Sequence, residues 1–296
     1  VNGFLVLDKP LGRTSSDCVV FVRRRLPRAT AVGHGGTLDP DASGVLPVAV
    51  GSATRLFDYI VDKQKTYVAE LRLGVETDTQ DASGNVIATS DAVVPAKALR
   101  EILPRFTGDI EQVPPMYSAI KRNGERLYKL ARRGETADIE PRACRVDGIR
   151  LLEELGENRF RLEIDCGRGV YIRTLCHDIG RALGVGGHMA ALRRTRAGAF
   201  SLENALTLEE IDALGADIAG KLMPPDAAIL HVPAVAVREN HRRAVLNGNP
   251  LDSQWLEAPA PDAPAVRVYL GGAFAGIGAP QPDGSIRFRA MLLPRD

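Results

Sequence analysis

The sequence predicts an α+β fold in a large N-terminal domain, followed by a small β-rich domain. Three observations carry this reading. Strand and helix patterns mix without the regular βαβ repetition of a doubly wound sheet. Tyr67–Leu73 and Phe160–Cys166 alternate apolar and polar residues as half-buried strands do. Near Met223-Pro224-Pro225-Asp226 helical periodicity ends, and only short strand-like runs follow.

Taken in order, Val1–Asp8 reads as a first strand. Thr14-Ser15-Ser16-Asp17 offers N-cap oxygens ahead of an apolar run that Pro27 stops, which predicts a helix from about Asp17 to Leu26. Residues 33–44 are too rich in glycine and turn formers for a regular element and read as a shaped loop. Leu99, Ile102, Leu103 and Phe106 have helical spacing that Pro104 shortens or kinks. Ile172, Leu175, Ile179 and Leu183 give a cleaner helix, closed by Gly184. Strands are expected at Ala234–Val237, Ala265–Leu270, Ala273–Ile277 and Ile286–Leu292, with a hairpin turn at Gly271-Gly272. The boundary falls at 228/229.

Composition narrows the function classes. With 296 residues, 45% of them hydrophobic and 25% charged, the chain is an ordinary globular protein. No stretch approaches the roughly 20 apolar residues of a membrane span. The first residues lack a basic region and a long apolar core, so they do not read as a signal peptide, and a cytoplasmic location is expected. Cys18, Cys144, Cys166 and Cys176 are too few and scattered for a disulfide framework, and their spacing suits no metal site. Net charge is only +1, but basic residues cluster. Lys121, Arg122, Arg126, Lys129, Arg132 and Arg133 crowd one segment; Arg23, Arg24, Arg25 and Arg28 form a second group; Arg193, Arg194 and Arg196 form a third. Such clusters are either solvated faces or a positive surface for a polyanion.

The loop Gly33-His34-Gly35-Gly36-Thr37-Leu38-Asp39-Pro40-Asp41-Ala42-Ser43-Gly44 is the most informative segment. From Asp39 it opens like a calcium-binding EF-hand, yet the twelfth position is Val50 instead of Glu. It lacks the Lys of a phosphate-binding loop. Asp39 is then either a turn residue bonding its own backbone or a functional carboxylate.

Several pieces, in order, resemble the TruB family of tRNA pseudouridine synthases over nearly the whole length. They are Gly3–Pro10, Gly33–Pro40, Ser43–Pro47, Lys65-Thr66-Tyr67, Leu73-Gly74, Thr77-Asp78-Thr79, Gln112–Ala119, Gly169–Thr174 and Leu192-Arg193-Arg194. Gly35 departs from the family, which has Thr there in many members. The resemblance implies a pseudouridine synthase fold, with a central mixed, mainly antiparallel sheet flanked by helices. It also implies a catalytic domain over 1–228, an RNA-binding thumb at about 115–143, and a reduced PUA-like RNA-binding domain over 229–296.

It further implies isomerisation of uridine 55 in the tRNA T-loop, with the T-arm stem-loop as partner, no cofactor, no obligatory protein partner, and a monomer. Asp39 is the implied catalytic carboxylate and Arg173 the cation that keeps it ionised. Tyr67 would lie against the base, its hydroxyl available for proton transfer. Tyr171 and Leu192 would wall the pocket, and His34 would meet the unstacked loop. Lys9 and Pro10 would support the catalytic loop, and the 121–133 cluster would close on RNA. Two competitors remain: a guide-dependent synthase of the related archaeal and eukaryotic branch, and a non-catalytic RNA-binding or RNA-folding protein on this scaffold.

Overall fold

The computed structural model describes residues 1–60, 64–116, 121–122, 124–127, 130, 133–135 and 139–293. The chain enters through strand β1 (Gly3–Lys9) and helix α1 (Ser15–Arg23). Thr14 caps α1 by accepting from the Asp17 amide, while the Asp17 carboxylate accepts from the Thr14 amide. This reciprocal pair starts the helix two residues earlier than the sequence suggests, and it closes four residues before Pro27. Strands β2 (Val32–His34) and β3 (Ala42–Val50) follow. The expected loop of 33–44 is therefore shorter, because its two ends pair into the sheet.

Next come β4 (Lys65–Leu73), β5 (Val75–Thr77), β6 (Val86–Thr89), α2 (Ala96–Ile102) and β7 (Gly108–Gln112). A 3-10 turn, Leu103–Phe106, replaces the last part of the expected second helix, since Pro104 has no amide hydrogen to continue it. The basic segment contributes a small hairpin, β8 (Lys121–Arg122) with β9 (Glu125–Arg126). The long strand β10 (Arg142–Gly156) then turns into β11 (Arg159–Cys166), followed by α3 (Ile172–Ala182), β12 (Gly187–Ala197), β13 (Phe200–Ser201) and α4 (Leu208–Leu214). Gly184 follows α3 with φ 74°, the left-handed turn that ends the helix.

The sheet order is β1-β3-β12-β4-β11-β10-β7, with β2 joined to β3 and β13 to β12. Every pairing along it is antiparallel except β3 with β12, which run parallel through Leu192↔Ala42, Arg193↔Ser43 and Arg194↔Gly44. This is the mixed, mainly antiparallel sheet expected. The parallel contact demands glycine at 44: its φ is 103°, and a β-carbon there would lie 2.1 Å from the Arg194 carbonyl oxygen. The first half of the sheet is buried on both faces. In β1, Phe4 and Val6 enter one cluster while Leu5 and Leu7 enter another, the alternation a pleated strand imposes. The other half buries one face, where Tyr67, Ala69, Leu71, Phe160, Leu162 and Ile164 meet Ile172, Leu175 and Ile179 of α3.

After α4 the chain forms β14 (Ala234–Val237), α5 (Arg242–Leu246), β15 (Val266–Leu270), β16 (Ala273–Pro280) and β17 (Ile286–Met291). Their four strands make a separate sheet in the order β14-β15-β16-β17. All four were legible as strands; α5 was not, being five residues long. Gly271 and Gly272, at φ 56° and 75°, form the predicted hairpin turn. This sheet has its own apolar cluster around Val237, Val268 and Ile286, but Ile277, Ala290 and Leu292 turn into the cluster that holds Phe4.

Candidate active site

Residues 35–41 hang between β2 and β3, and neighbouring side chains clamp them. The fully buried Lys9 ammonium donates to the carbonyls of Pro10 (2.9 Å), Arg13 (2.6 Å) and Pro40 (3.2 Å). Burial lowers the Lys9 pKa, while Cys18, Asp39 and Asp41 pull it back. Ser15, at the start of α1, brackets the residue before Asp39: its hydroxyl donates to Leu38 O (3.0 Å) and accepts from Leu38 N (2.9 Å). Gly12 N also donates to Pro40 O (2.8 Å). Asp39 therefore stands on a fixed platform built by the β1–α1 connection.

Arg173 arrives from the first turn of α3. It is a nearly buried guanidinium, with Nη2 3.2 Å from Asp39 Oδ2 and Nη1 3.4 Å from Asp81 Oδ2. Two carboxylates thus share one cation. The other Asp81 oxygen is saturated by Thr79 Oγ1 (2.7 Å), Ser83 N (3.0 Å) and Ser83 Oγ (2.6 Å), which fixes Asp81 as a structural anion. Asp39 keeps a side chain 45% exposed, so one side of it is open. Partial burial pushes its pKa up; Arg173 opposes this, and Asp81 and Asp41 reinforce it. The result is an ionisable oxygen pair more basic than an ordinary aspartate. Sequence reading missed Asp81, although it follows the quoted Thr77-Asp78-Thr79 directly; a second carboxylate within reach of a buried arginine is a three-dimensional fact.

Tyr67, on β4, is 6% exposed and shares the buried cluster of Leu38, Ala42 and Leu192. Burial raises its pKa, and the Arg194 guanidinium beside it offsets part of that rise. Leu192 lies across the β4–β12 pairing from Ala69. Tyr171 is the N-cap residue of α3; the buried Gln112 side chain grips it, accepting from Tyr171 N (2.9 Å) and donating to Tyr171 O (3.2 Å). His34 sits half-buried at the end of β2, its pKa lowered by burial and then by Arg194. A cleft of about 580 Å³ runs beside these groups, bordered by Asp81, Leu192, Asp41 and Arg193. Val68 and Glu70 also line it, so it opens on the face of β4 turned away from the Tyr67 ring.

The basic clusters fare differently. Of the first, Lys129 and Arg132 and the side chains of Lys121, Arg122 and Arg126 lie outside the described residues. Arg133 is ion-paired with Glu125 (2.7 Å) and Glu135 (2.6 Å). The third is not a free positive face: Arg193 pairs with Asp8 (2.7 Å), Arg194 is fully buried, and Arg196 reaches Thr66 Oγ1 (3.2 Å). Their spacing on a strand sends Arg194 inward and its neighbours outward, so one basic triplet splits into two roles. In the second, Arg25 bonds Asp212 and stacks on Phe21. Among the described residues, no three His, Cys, Asp or Glu side chains gather as a metal centre requires, and no helix is long and apolar enough to cross a membrane.

Comparison with known proteins then decides the family. The model described as "TruB family pseudouridylate synthase (N terminal domain)" matches residues 23–172, just over half the chain. The chain belongs to the TruB family of pseudouridylate synthases. Two further TruB models cover the rest of this TruB enzyme: "tRNA pseudouridylate synthase B C-terminal domain" over 173–228 and "Pseudouridine synthase II TruB, C-terminal" over 233–292. It is 43% identical over 293 residues to tRNA pseudouridine synthase B of Azoarcus sp. (strain BH72), covering 99% of this chain and 95% of that one. The same-named protein of Pseudomonas fluorescens is 44% identical over 301 residues, covering 99% and 96%. Among solved structures, the chain titled "Crystal Structure of a Cbf5-Nop10-Gar1 Complex" superposes with a TM-score of 0.74 at 29% identity, over 99% of this chain and 86% of that one. The TruB enzyme is thus an isomerase that turns uridine into pseudouridine.

Proposed function

We propose that this TruB family enzyme isomerises uridine 55 in the T-loop of tRNA, working alone on the T-arm stem-loop, with Asp39 as the catalytic carboxylate. The observation that carries the reading is the Asp39–Arg173–Asp81 arrangement: a half-open carboxylate held 3.2 Å from a buried guanidinium. In the reaction the C1′–N1 bond breaks, the uracil turns, and a C1′–C5 bond forms. The C5 proton is lost and N1 gains one, so nothing is carried in or out. An ionised carboxylate stabilises or captures the electron-poor sugar or base at the cleavage step. Arg173 keeps Asp39 charged against the desolvation that raises its pKa. Tyr67, Tyr171 and Leu192 receive the flipped base, whose extraction costs a few kcal/mol. His34 meets the unstacked loop, and Lys9 with Pro10 holds the platform. Lys121, Arg122, Arg126, Lys129, Arg132 and Arg133 grip the stem, and residues 229–296 form a PUA-like RNA-binding domain.

Relatives named tRNA pseudouridine synthase B, matched over 95% or more of their length, favour free tRNA as substrate. The likeness to a Cbf5 chain titled as part of a complex keeps a guide-dependent reading testable. Purified protein incubated with unmodified tRNA transcript, followed by site-resolved pseudouridine mapping, separates the two. Modification confined to the T-loop without added protein or guide is the expected result. No product on naked tRNA, or product elsewhere, overturns the proposal.

A further inference from the structure

Arg194 has no part in the reading above, yet it stands at the centre of the site. It heads the fully buried side chains, at 0% exposure, and forms no ion pair with a described carboxylate. A buried cation without a counter-charge is costly, so its hydrogen bonds must supply the compensation. Nε donates to Val45 O (2.7 Å) and Nη2 to Gly36 O (3.1 Å). Those two carbonyls flank the segment that carries Asp39. Its third nitrogen, Nη1, has no hydrogen-bond partner among the described residues. Arg194 is also the residue directly opposite Tyr67 in the β12–β4 pairing, so the two side chains stand on one face of the sheet. The loop approaches this closely because Gly36 (φ 98°) has no side chain; a β-carbon there would meet Nη1 at 3.6 Å.

We infer that Arg194 is a positioning residue of the reaction, suspending the Asp39 loop from β12 by two carbonyls and turning Nη1 on the Tyr67 hydroxyl. The inference rests on the proposed placement of Tyr67 at the base. A phenol oxygen that accepts from a guanidinium keeps its own O–H directed elsewhere, towards the pocket. The cation also eases proton loss from that hydroxyl. The titratable groups facing Tyr67 are Arg194 from β12, Cys166 from β11 and Asp39 from the catalytic loop, and of these only Arg194 favours the phenolate. One side chain thus couples the aim of the carboxylate to the aim of the hydroxyl.

The test uses the full chain with Arg194→Lys and Arg194→Met, and Tyr67→Phe as reference. The Tyr67 ionisation is read without turnover, as the phenolate absorbance of each Arg194 variant minus that of the same variant carrying Tyr67→Phe. Arg194→Met should move this transition to higher pH. Arg194→Lys, which keeps charge but loses the fork, should melt near wild type, bind tRNA within about threefold, and lose about 100-fold in kcat, the cost of a misplaced reacting group. An unmoved Tyr67 transition in Arg194→Met, or in Arg194→Lys if the Met variant does not fold, overturns the inference. So does a wild-type kcat in Arg194→Lys. Full activity in Tyr67→Phe alone would instead refute the placement of Tyr67 at the base, and the titration would still report on Arg194.

Discussion

At the scale of single residues, the site holds a charge where solvation disfavours it. Asp39 has its pKa pushed up mainly by burial, with Arg173 the chief opposing influence. If turnover needs the carboxylate, kcat falls as pH drops through a value above that of an ordinary aspartate. Removing the guanidinium in Arg173→Met should carry this acid limb to higher pH, and Arg173→Lys should move it less. A kcat–pH profile with an unmoved limb would count against the pairing. The sign for stability runs the other way. A folded-state pKa above the unfolded one means that Asp39 favours the fold when protonated and loses that advantage as pH rises through the folded value. Asp39→Asn should therefore melt at or above the wild-type temperature at neutral pH while losing turnover. A second residue-scale feature explains the family departure at Gly35. A β-carbon there would lie 2.7 Å from Phe57 Cε1, so the Phe57 ring fills the volume that a side chain at 35 would take. Gly35→Thr should destabilise by about 1–3 kcal/mol, the usual cost of overpacking, and Phe57→Leu in the same chain should recover most of it. Thermal melts of the single and double variants check this; additive losses would break the coupling.

At the scale of elements, catalysis depends on how α1, α3 and the loop before β3 are locked together. Ser15 is the smallest of these locks and was not legible as one: in the sequence it looked like one of several interchangeable caps. Thr14 is the cap, which frees the Ser15 hydroxyl to bond both polar atoms of the Leu38 backbone. Ser15→Ala should cost about 1–2 kcal/mol of stability for these bonds. It should lower kcat more than KM, since the residue touches the loop and not the RNA. Steady-state kinetics on tRNA transcript would expose a purely structural role as unchanged kcat. The strands and the α3 helix were readable because period 2 and period 3.6 show directly in residues such as Phe160, Leu162 and Ile164 or Ile172, Leu175 and Ile179. Asp39 and Arg173 were readable through motif resemblance. What stayed hidden has one physical cause. Asp81, Ser15, Gln112 and Arg194 act through partners 23 or more positions away, at 92, 23, 59 and 149–158 residues of separation, and no local pattern encodes such pairings.

At the scale of the whole molecule, a net charge of +1 has to serve a polyanionic substrate. Arg193, Arg194 and Arg25 are already committed to internal partners, so the 121–133 segment is the main candidate for phosphate contact. Neutralising Lys121, Arg122, Lys129 and Arg132 together should weaken tRNA binding and flatten the dependence of log K on log salt, because fewer counterions are released. Binding isotherms at several salt concentrations measure the slope; an unchanged slope assigns these residues to solvent. The two sheets raise the last question, whether residues 1–228 stand alone. The C-terminal sheet has its own cluster, but Ile229, Val232, Ile277 and Leu292 are buried together with Phe4, Val6, Val45 and Leu56. Polar ties cross the same boundary: Tyr269 donates to Asp226 (2.6 Å) and Arg55 to Met291 O (3.1 Å). Losing four such apolar side chains forfeits on the order of 6–12 kcal/mol at about 1.5–3 kcal/mol each. That is comparable with the whole stability of a typical domain, about 5–15 kcal/mol. A 1–228 fragment should therefore aggregate or melt far below the full chain, and lose activity for that reason and not through lost RNA contacts alone. Cooperative melting of the fragment at the full-chain temperature would show that the shared cluster is dispensable.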